Sequence, residues 1–385
     1  MRFPVVLIAL LTLCLESSAQ TRFDVTMRVD SVDRQFIVVR PSAPPPAAGY
    51  AVVFMFHGTT GDGERFYNIS GWKEKGEQEG FVTVFPSSLE YCFYNDSGRP
   101  VPVTKWSNGE AEEKKCPGVV LKDDVHFIRR IVDSLLVMLP IDSRRIYASG
   151  FSNGAVFTSK LAVEMSDVFA ALSASAGMLY ETDSGVPARP VPFVFTMGDA
   201  DRNVVDALGA TIPFNDSALY VLGRSIRRYL GAFNLAEVLD TKDSTALTLT
   251  YVFNTPASSS LPSTLFSYVL LKGLDHQYPN GTNYPIRAAD YLWAFFNRHI
   301  LADAPDRSRI SGAGLRIYPN PAADYIVIDG EGEARVTVRT ILGEMVLTTT
   351  AVRGARVALD NLPGGLYIVS VSSGRQRVTQ PVIVR

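Results

Sequence analysis

Arg145-Ile-Tyr-Ala-Ser-Gly150-Phe151-Ser152-Asn153-Gly154-Ala-Val-Phe157 is the stretch that decides the fold. Its first part, Arg145 to Ser149, is short, apolar and rich in β-favouring residues, and it predicts a buried strand. From Gly154 to Met165 the apolar residues recur at helical spacing. Between strand and helix stands Gly-x-Ser-x-Gly. Glycines on both sides relieve crowding, so a serine can occupy a strained turn with its hydroxyl exposed. The same serine sits at a helix N-terminus, where developing negative charge is favoured. Gly-x-Ser-x-Gly alone is common by chance; the strand–turn–helix setting makes Ser152 a candidate nucleophile.

A serine nucleophile needs a base. The chain has four histidines: His57, His126, His276 and His299. His126 falls within a helical pattern, and His299 is read as ending the last helix before residue 302; both suit surface or packing roles. His276 follows an apolar run, Leu265 to Leu271, in a Gly273-Leu-Asp-His-Gln-Tyr-Pro279 loop. It also follows Ser152 in the chain order Ser…Asp…His. The acid is expected between them, after the run Pro192 to Phe195, where Gly198-Asp199-Ala200-Asp201 offers two carboxylates. The Asp199, Asp201, Asn203 spacing superficially resembles a calcium loop. Val204 stands where such a loop needs glycine, and Ala210 where it needs an acid, so no calcium site is expected. For the oxyanion, the backbone N–H of Asn153 and that of Thr59, in the turn His57-Gly58-Thr59, are the expected donors. No lysine follows at phosphate-loop spacing and no histidine pair has ligand spacing, so no nucleotide, metal or other cofactor is implied.

Similar short runs occur at Ala51–Phe56 and Phe81–Phe85, with an antiparallel pair expected at Val25–Val29 and Arg34–Val39. Helical patterns cover Asp123–Leu139 and Ala218–Phe233. Alternating strands and helices predict an α/β domain with a mostly parallel sheet over residues 20–301. Residues 302–314 are polar, with Pro and Gly, and read as a linker. Beyond them, about seven short alternating runs separated by turn residues predict a small all-β sandwich over 315–385.

With 385 residues, 46% hydrophobic and 20% charged, the chain is too long for one ordinary core and too apolar to be disordered. A formal net charge of −2 and no basic run argue against nucleic acid as a partner. Arg2, an apolar run from Phe3 to Leu15 and the small residues Ser17-Ser18-Ala19 predict a signal peptide over 1–19. That run is short for a bilayer span, and no later one is longer, so no stable membrane span is expected. Cleavage would leave Cys92 and Cys116, and an isolated pair in an exported protein is a disulfide candidate.

Taken together, residues 25 to 300 resemble the secreted esterase family of polyhydroxybutyrate depolymerases, feruloyl esterases and acetylxylan esterases. The resemblance rests on Arg34-Gln-Phe-Ile-Val-Val-Arg-Pro41, Phe56-His-Gly58, Asp123-Asp-Val-His-Phe-Ile128, Gly150-Phe-Ser-Asn-Gly154, Gly198-Asp-Ala-Asp201 and Asp275-His-Gln-Tyr-Pro279. It implies an α/β-hydrolase fold and places the acid at the second carboxylate, Asp201. The chain departs from the family's pattern at Met197, where the family commonly has His, and at Asp275, where it usually has Gly. Tyr278 stands where Trp is usual. Residues 315 to 385 resemble the C-terminal sorting domain of the type IX secretion system, through Tyr318-Pro-Asn-Pro-Ala322 and Leu362-Pro-Gly-Gly-Leu-Tyr367. That implies carriage through the periplasm and outer membrane by the secretion machinery, then release or surface attachment.

These readings converge on a secreted serine carboxylesterase acting through Ser152, His276 and Asp201 on feruloyl or acetyl esters of plant polysaccharide, or on an aliphatic polyester. A peptidase on the same fold and a non-catalytic surface binding protein are the alternatives. Tyr91, Phe93, Tyr94 and Trp106, in an otherwise polar stretch, suggest an exposed wall for stacking on a substrate ring; the opposite reading is a small core under a loop. Trp106 and Tyr278 are the expected substrate-binding side chains.

Overall fold

The computed structural model describes residues 20–95, 97–233, 235, 239–253 and 266–301. In the C-terminal region it describes 316–318, 322–329, 332–340, 344–352, 354–373 and 376–384. The expected signal peptide (1–19) and linker (302–314) lie outside the described residues.

Strands β1 (Thr21–Val29), β2 (Val32–Arg40), β3 (Tyr50–Phe56), β4 (Val82–Pro86), β5 (Glu90–Tyr94) and β6 (Pro100–Thr104) occupy the first third of the chain. They are followed by β7 (Ile141–Phe151), β8 (Ala171–Ser175), β9 (Phe193–Gly198), β10 (Leu239–Ser244), β11 (Thr248–Phe253) and β12 (Phe266–Leu271). Among the described residues, ten of these form one sheet in the order β1-β2-β4-β3-β7-β8-β9-β12-β11-β10. From β4 to β12 every neighbouring pair is parallel; the pairs at both edges are antiparallel. A mostly parallel sheet with β3 and β4 exchanged and a serine turn after the central strand β7 is the α/β-hydrolase arrangement. Such a sheet needs cover on both faces, and its strands should be apolar throughout. In β3 every residue is buried. Tyr50, Val52, Phe54 and Phe56 face one core, while Ala51, Val53 and Met55 face the other.

The helices supply that cover: α1 (Gly63–Ile69), α2 (Trp72–Glu79), α3 (Gly109–Lys114), α4 (Asp124–Met138), α5 (Asn153–Glu164), α6 (Arg202–Leu208), α7 (Ser217–Val221), α8 (Gly223–Ala232) and α9 (Ala288–Phe296). On α4, Phe127, Ile128, Ile131 and Leu135 are buried at helical spacing, and Asp123 caps the first turn through the His126 N–H at 2.9 Å. The pattern over Ala218–Phe233 is two helices rather than one, because the chain leaves helical geometry at Leu222 before Gly223. The last helix stops at Phe296, three residues short of His299.

The C-terminal runs are strands β13 (Arg316–Tyr318), β14 (Tyr325–Asp329), β15 (Glu333–Thr340), β16 (Met345–Val352), β17 (Arg356–Ala358), β18 (Gly365–Ser373) and β19 (Gln376–Val384). They form two antiparallel sheets, β13-β14-β17 and β16-β15-β18-β19. One apolar cluster, including Ile326, Ile328, Val336, Val338, Val369 and Val382, lies between them.

Candidate active site

Ser152 sits where β7 turns into α5, with φ 53° and ψ −120°. A non-glycine residue at positive φ is uncommon, and here the packing imposes it. A Cβ on Gly154 would lie 2.3 Å from the His57 carbonyl oxygen. One on Gly150 would lie 2.2 Å from the Gly154 carbonyl oxygen, and one on Gly177 the same distance from that of Ser152. Both glycines of the Gly-x-Ser-x-Gly turn are therefore required by close backbone approach. Gly177, on the far side, had no pattern in the sequence to reveal it. The Ser152 N–H donates to the Ser175 carbonyl at 2.9 Å, fixing the turn to the end of β8.

The Ser152 Oγ lies 2.9 Å from His276 Nε2. His276 Nδ1 lies 3.0 and 2.9 Å from the two carboxylate oxygens of Asp201. A carboxylate only accepts, so Nδ1 carries the ring proton and Nε2 accepts from the serine hydroxyl. Asp201 is 1% exposed and also accepts the Asn203 N–H at 3.0 Å. Asp199, the competing carboxylate, points elsewhere: it accepts the Gly273 N–H at 2.5 Å, and burial pushes its carboxyl above the usual range. Gly198 lets these loops meet, since a Cβ there would lie 1.8 Å from the Leu274 carbonyl oxygen.

The turn 57–61 packs beside the serine, with Gly58 facing the Ser152 Cβ. His57 is fully buried; its Nδ1 donates to the Gly58 carbonyl at 2.7 Å and its Nε2 accepts the Ser88 N–H at 3.0 Å. Loss of solvation lowers its pKa to about 4, so the ring is neutral. The Thr60 N–H is spent on the Thr104 carbonyl at 3.0 Å; Thr59 and Asn153 are the chain neighbours of Gly58 and Ser152. The Asn153 side chain accepts the Trp106 N–H at 2.7 Å. His126 pairs with Asp30 at 2.9 Å. Burial lowers the pKa of His299 to about 4. Neither His126 nor His299 joins the serine.

Two expectations are corrected. Trp106 is 0% exposed, stacked on Phe157 with ring centres 5.0 Å apart, and its indole N–H donates to the His57 carbonyl at 2.9 Å. Tyr278 is also buried, and its hydroxyl accepts the Trp72 indole N–H at 2.9 Å. Neither can stack on a substrate ring, because each spends its face and polar tip inside the protein. Phe93 is buried as well; of the four aromatics expected to form a wall, Tyr94 is exposed and Tyr91 half-buried. The stretch is the β5–β6 hairpin followed by α3, with Trp106 part of the main core, and a disulfide joins Cys92 to Cys116 with Cα atoms 5.4 Å apart.

Asp275, where the resembling family usually has Gly, binds at the base of the site. Its carboxylate accepts the His276 N–H at 2.6 Å and the Arg202 N–H at 3.2 Å. The Arg202 guanidinium binds it through Nε at 3.1 Å and through a second nitrogen. Arg202, and then the His276 amide, hold this carboxyl well below the usual range. Among the described residues, no group of three or more His, Cys, Asp or Glu side chains could hold a metal ion, and no helix is long and apolar enough to cross a membrane.

Part of the chain is similar to feruloyl esterase B of Talaromyces funiculosus, at 27% identity over 34% of this chain and 33% of the relative. It is 26% identical to acetylxylan esterase A of Aspergillus ficuum, over 36% of this chain and 43% of the relative. It is 30% identical to poly(3-hydroxyalkanoate) depolymerase C of Paucimonas lemoignei, over 37% of this chain and 30% of the relative. The chain spans less than half the length of the curated relatives it matches. Among solved structures, an acetyl xylan esterase from Aspergillus awamori is similar with a TM-score of 0.48 and 18% identity, covering 72% of this chain and 99% of that one. Residues 316–385 match the family described as Secretion system C-terminal sorting domain, so the chain carries that domain, which points to export and a secreted or cell-surface location.

Proposed function

We propose that this chain is a serine carboxylesterase. The observation that carries the reading is the hydrogen-bonded series Ser152–His276–Asp201 at a strained turn between strand and helix. In this mechanism His276 Nε2 takes the Ser152 proton as Oγ attacks an ester carbonyl. Asp201 orients the ring and stabilises the imidazolium, and the N–H groups of Thr59 and Asn153 stabilise the oxyanion. The imidazolium then protonates the leaving alcohol. Water, activated by the same nitrogen, releases the acid and restores the serine.

The substrate class is an acetyl or feruloyl ester on plant polysaccharide, or an aliphatic polyester. The similarity to the feruloyl esterase, the acetylxylan esterase and the poly(3-hydroxyalkanoate) depolymerase supports this range. The partner for export is type IX secretion machinery, acting on the sorting domain. The test is hydrolysis of p-nitrophenyl acetate, methyl ferulate, acetylated xylan and polyhydroxybutyrate by the protein and by Ser152→Ala. The substitution should lower turnover by roughly a thousandfold or more with the fold intact. Wild-type turnover by folded Ser152→Ala would refute the mechanism.

A further inference from the structure

The loops that carry the acid and the base leave different strands, β9 and β12, which lie side by side in parallel. Their roots are joined by backbone bonds: the Asp199 N–H donates to the Leu271 carbonyl at 3.0 Å and the Ala200 N–H to the Leu274 carbonyl at 3.2 Å. The Asp199 side chain adds the Gly273 amide. That seam ends at Ala200, the residue before Asp201, and at Leu274, two residues before His276. Asp275 continues it. One carboxylate oxygen accepts the amide of Arg202, the residue after Asp201, and the amide of His276 itself. The second oxygen binds the Arg202 guanidinium, whose Nε is shared with the first.

We propose that Asp275 is a positioning residue, its carboxylate tying the backbone beside Asp201 to the backbone of His276 so that the imidazole is held in line between Asp201 and Ser152. The inference rests on the esterase reading of that site. Two amide bonds to a charged acceptor are stronger than neutral ones. The Arg202 side chain is 65% exposed, so its share is screened by solvent. The amide bonds therefore carry most of the effect, and Asp275 matters more than Arg202. Because the roots are already joined, losing Asp275 should loosen the imidazole without unfolding the loops. A misplacement of about 1 Å at a reacting group costs up to roughly 100-fold in rate.

The experiment measures kcat, KM and thermal unfolding with p-nitrophenyl acetate for Asp275→Ala, Asp275→Asn and Arg202→Gln, beside Ser152→Ala. Asp275→Ala should lower kcat roughly 10- to 100-fold, with KM within about twofold and little change in melting temperature. Asp275→Asn keeps an oxygen that can accept both amides, so it should recover much of the loss. Arg202→Gln should cost less than Asp275→Ala. An Asp275→Ala protein with wild-type kcat would overturn the proposal, and so would a loss that merely follows the unfolded fraction. Equal losses in Arg202→Gln and Asp275→Ala would also overturn it, by assigning the effect to the charge pair. If Ser152→Ala is inactive, such results count against Asp275 alone; if Ser152→Ala is active, the esterase reading itself fails.

Discussion

At Asp199 and Asp201, two carboxylates two residues apart have opposite surroundings. Asp201 faces the imidazole with both oxygens, whereas Asp199 fastens a neighbouring loop through the Gly273 amide. Asp201→Asn should lower kcat roughly 100- to 10,000-fold, because the imidazole loses its charged partner and its tautomer is no longer fixed. Asp199→Asn keeps an acceptor for Gly273 and should cost far less; steady-state kinetics showing the reverse ranking would refute the assignment. His57 carries a prediction of a different kind. Its folded pKa, lowered by burial to about 4, lies below the ordinary 6.5. Between those values the unfolded chain binds more protons than the folded one, so stability falls as pH drops from about 6.5 to about 4. The term is on the order of 3 kcal/mol when fully expressed. His299 shifts in the same direction, so the comparison must be with His57→Gln, which can still donate to Gly58 and accept from Ser88. Urea unfolding at pH 7 and pH 4.5 should show a smaller pH effect in His57→Gln, and an identical effect would assign the acid sensitivity elsewhere. The three tryptophans, Trp72, Trp106 and Trp293, all precede residue 302, so their fluorescence reports this region.

Among the elements, those that position the serine were the most legible and those that brace it the least. β3 is apolar throughout, β7 has the apolar run Ile146-Tyr-Ala148 ahead of the serine turn, and α4 has a strong apolar stripe, so their burial follows from composition and period. β8, Ala171-Leu-Ser-Ala-Ser175, is central and fully buried, yet its small residues have weak strand preference. β6 carries Pro100 and Pro102, which a pairing strand tolerates only at an edge, and its partner β5 alternates weakly. Polar residues at 86–118 therefore masked a hairpin, and the aromatics there read as exposed when Phe93 and Trp106 are core. The segment 104–108 at the end of that hairpin binds both flanks of the proposed oxyanion site: Thr104 accepts from Thr60 and donates to Gly61, Trp106 binds His57 and Asn153, and Asn108 reaches the Asn153 carbonyl. The disulfide fixes the ends of this region. Replacing both Cys92 and Cys116 by Ser should lower the unfolding free energy by about 3 kcal/mol. It should also reduce kcat on p-nitrophenyl acetate severalfold with KM little changed. A folded double variant with unaltered kcat would show that segment 104–108 holds its place without the disulfide.

For the molecule as a whole, the sequence pattern changes once, and the proposed chemistry and the sorting signal fall on opposite sides of that change. Ser152, Asp201 and His276 lie on the ten-stranded sheet's loops, whereas the two small sheets after residue 315 have an apolar cluster of their own. The turn motif Leu362-Pro-Gly-Gly-Leu-Tyr367 leads directly into β18, and Tyr367 donates back to the Pro363 carbonyl at 2.8 Å, so that signal was legible because turn chemistry and strand start coincide. Two independent cores should fold independently. A chain ending at Leu301 should therefore hydrolyse a small soluble ester with kcat and KM close to those of the full chain. Expressed in a host with the cognate secretion machinery, it should accumulate inside the cell envelope while the full chain reaches the surface or medium. The two readouts separate the two roles. A truncated protein that is folded but inactive on p-nitrophenyl acetate would place part of the chemistry after residue 315. One that is exported normally would refute the sorting role, and one that is exported but fails only on insoluble polymer would assign the sandwich to substrate adhesion instead.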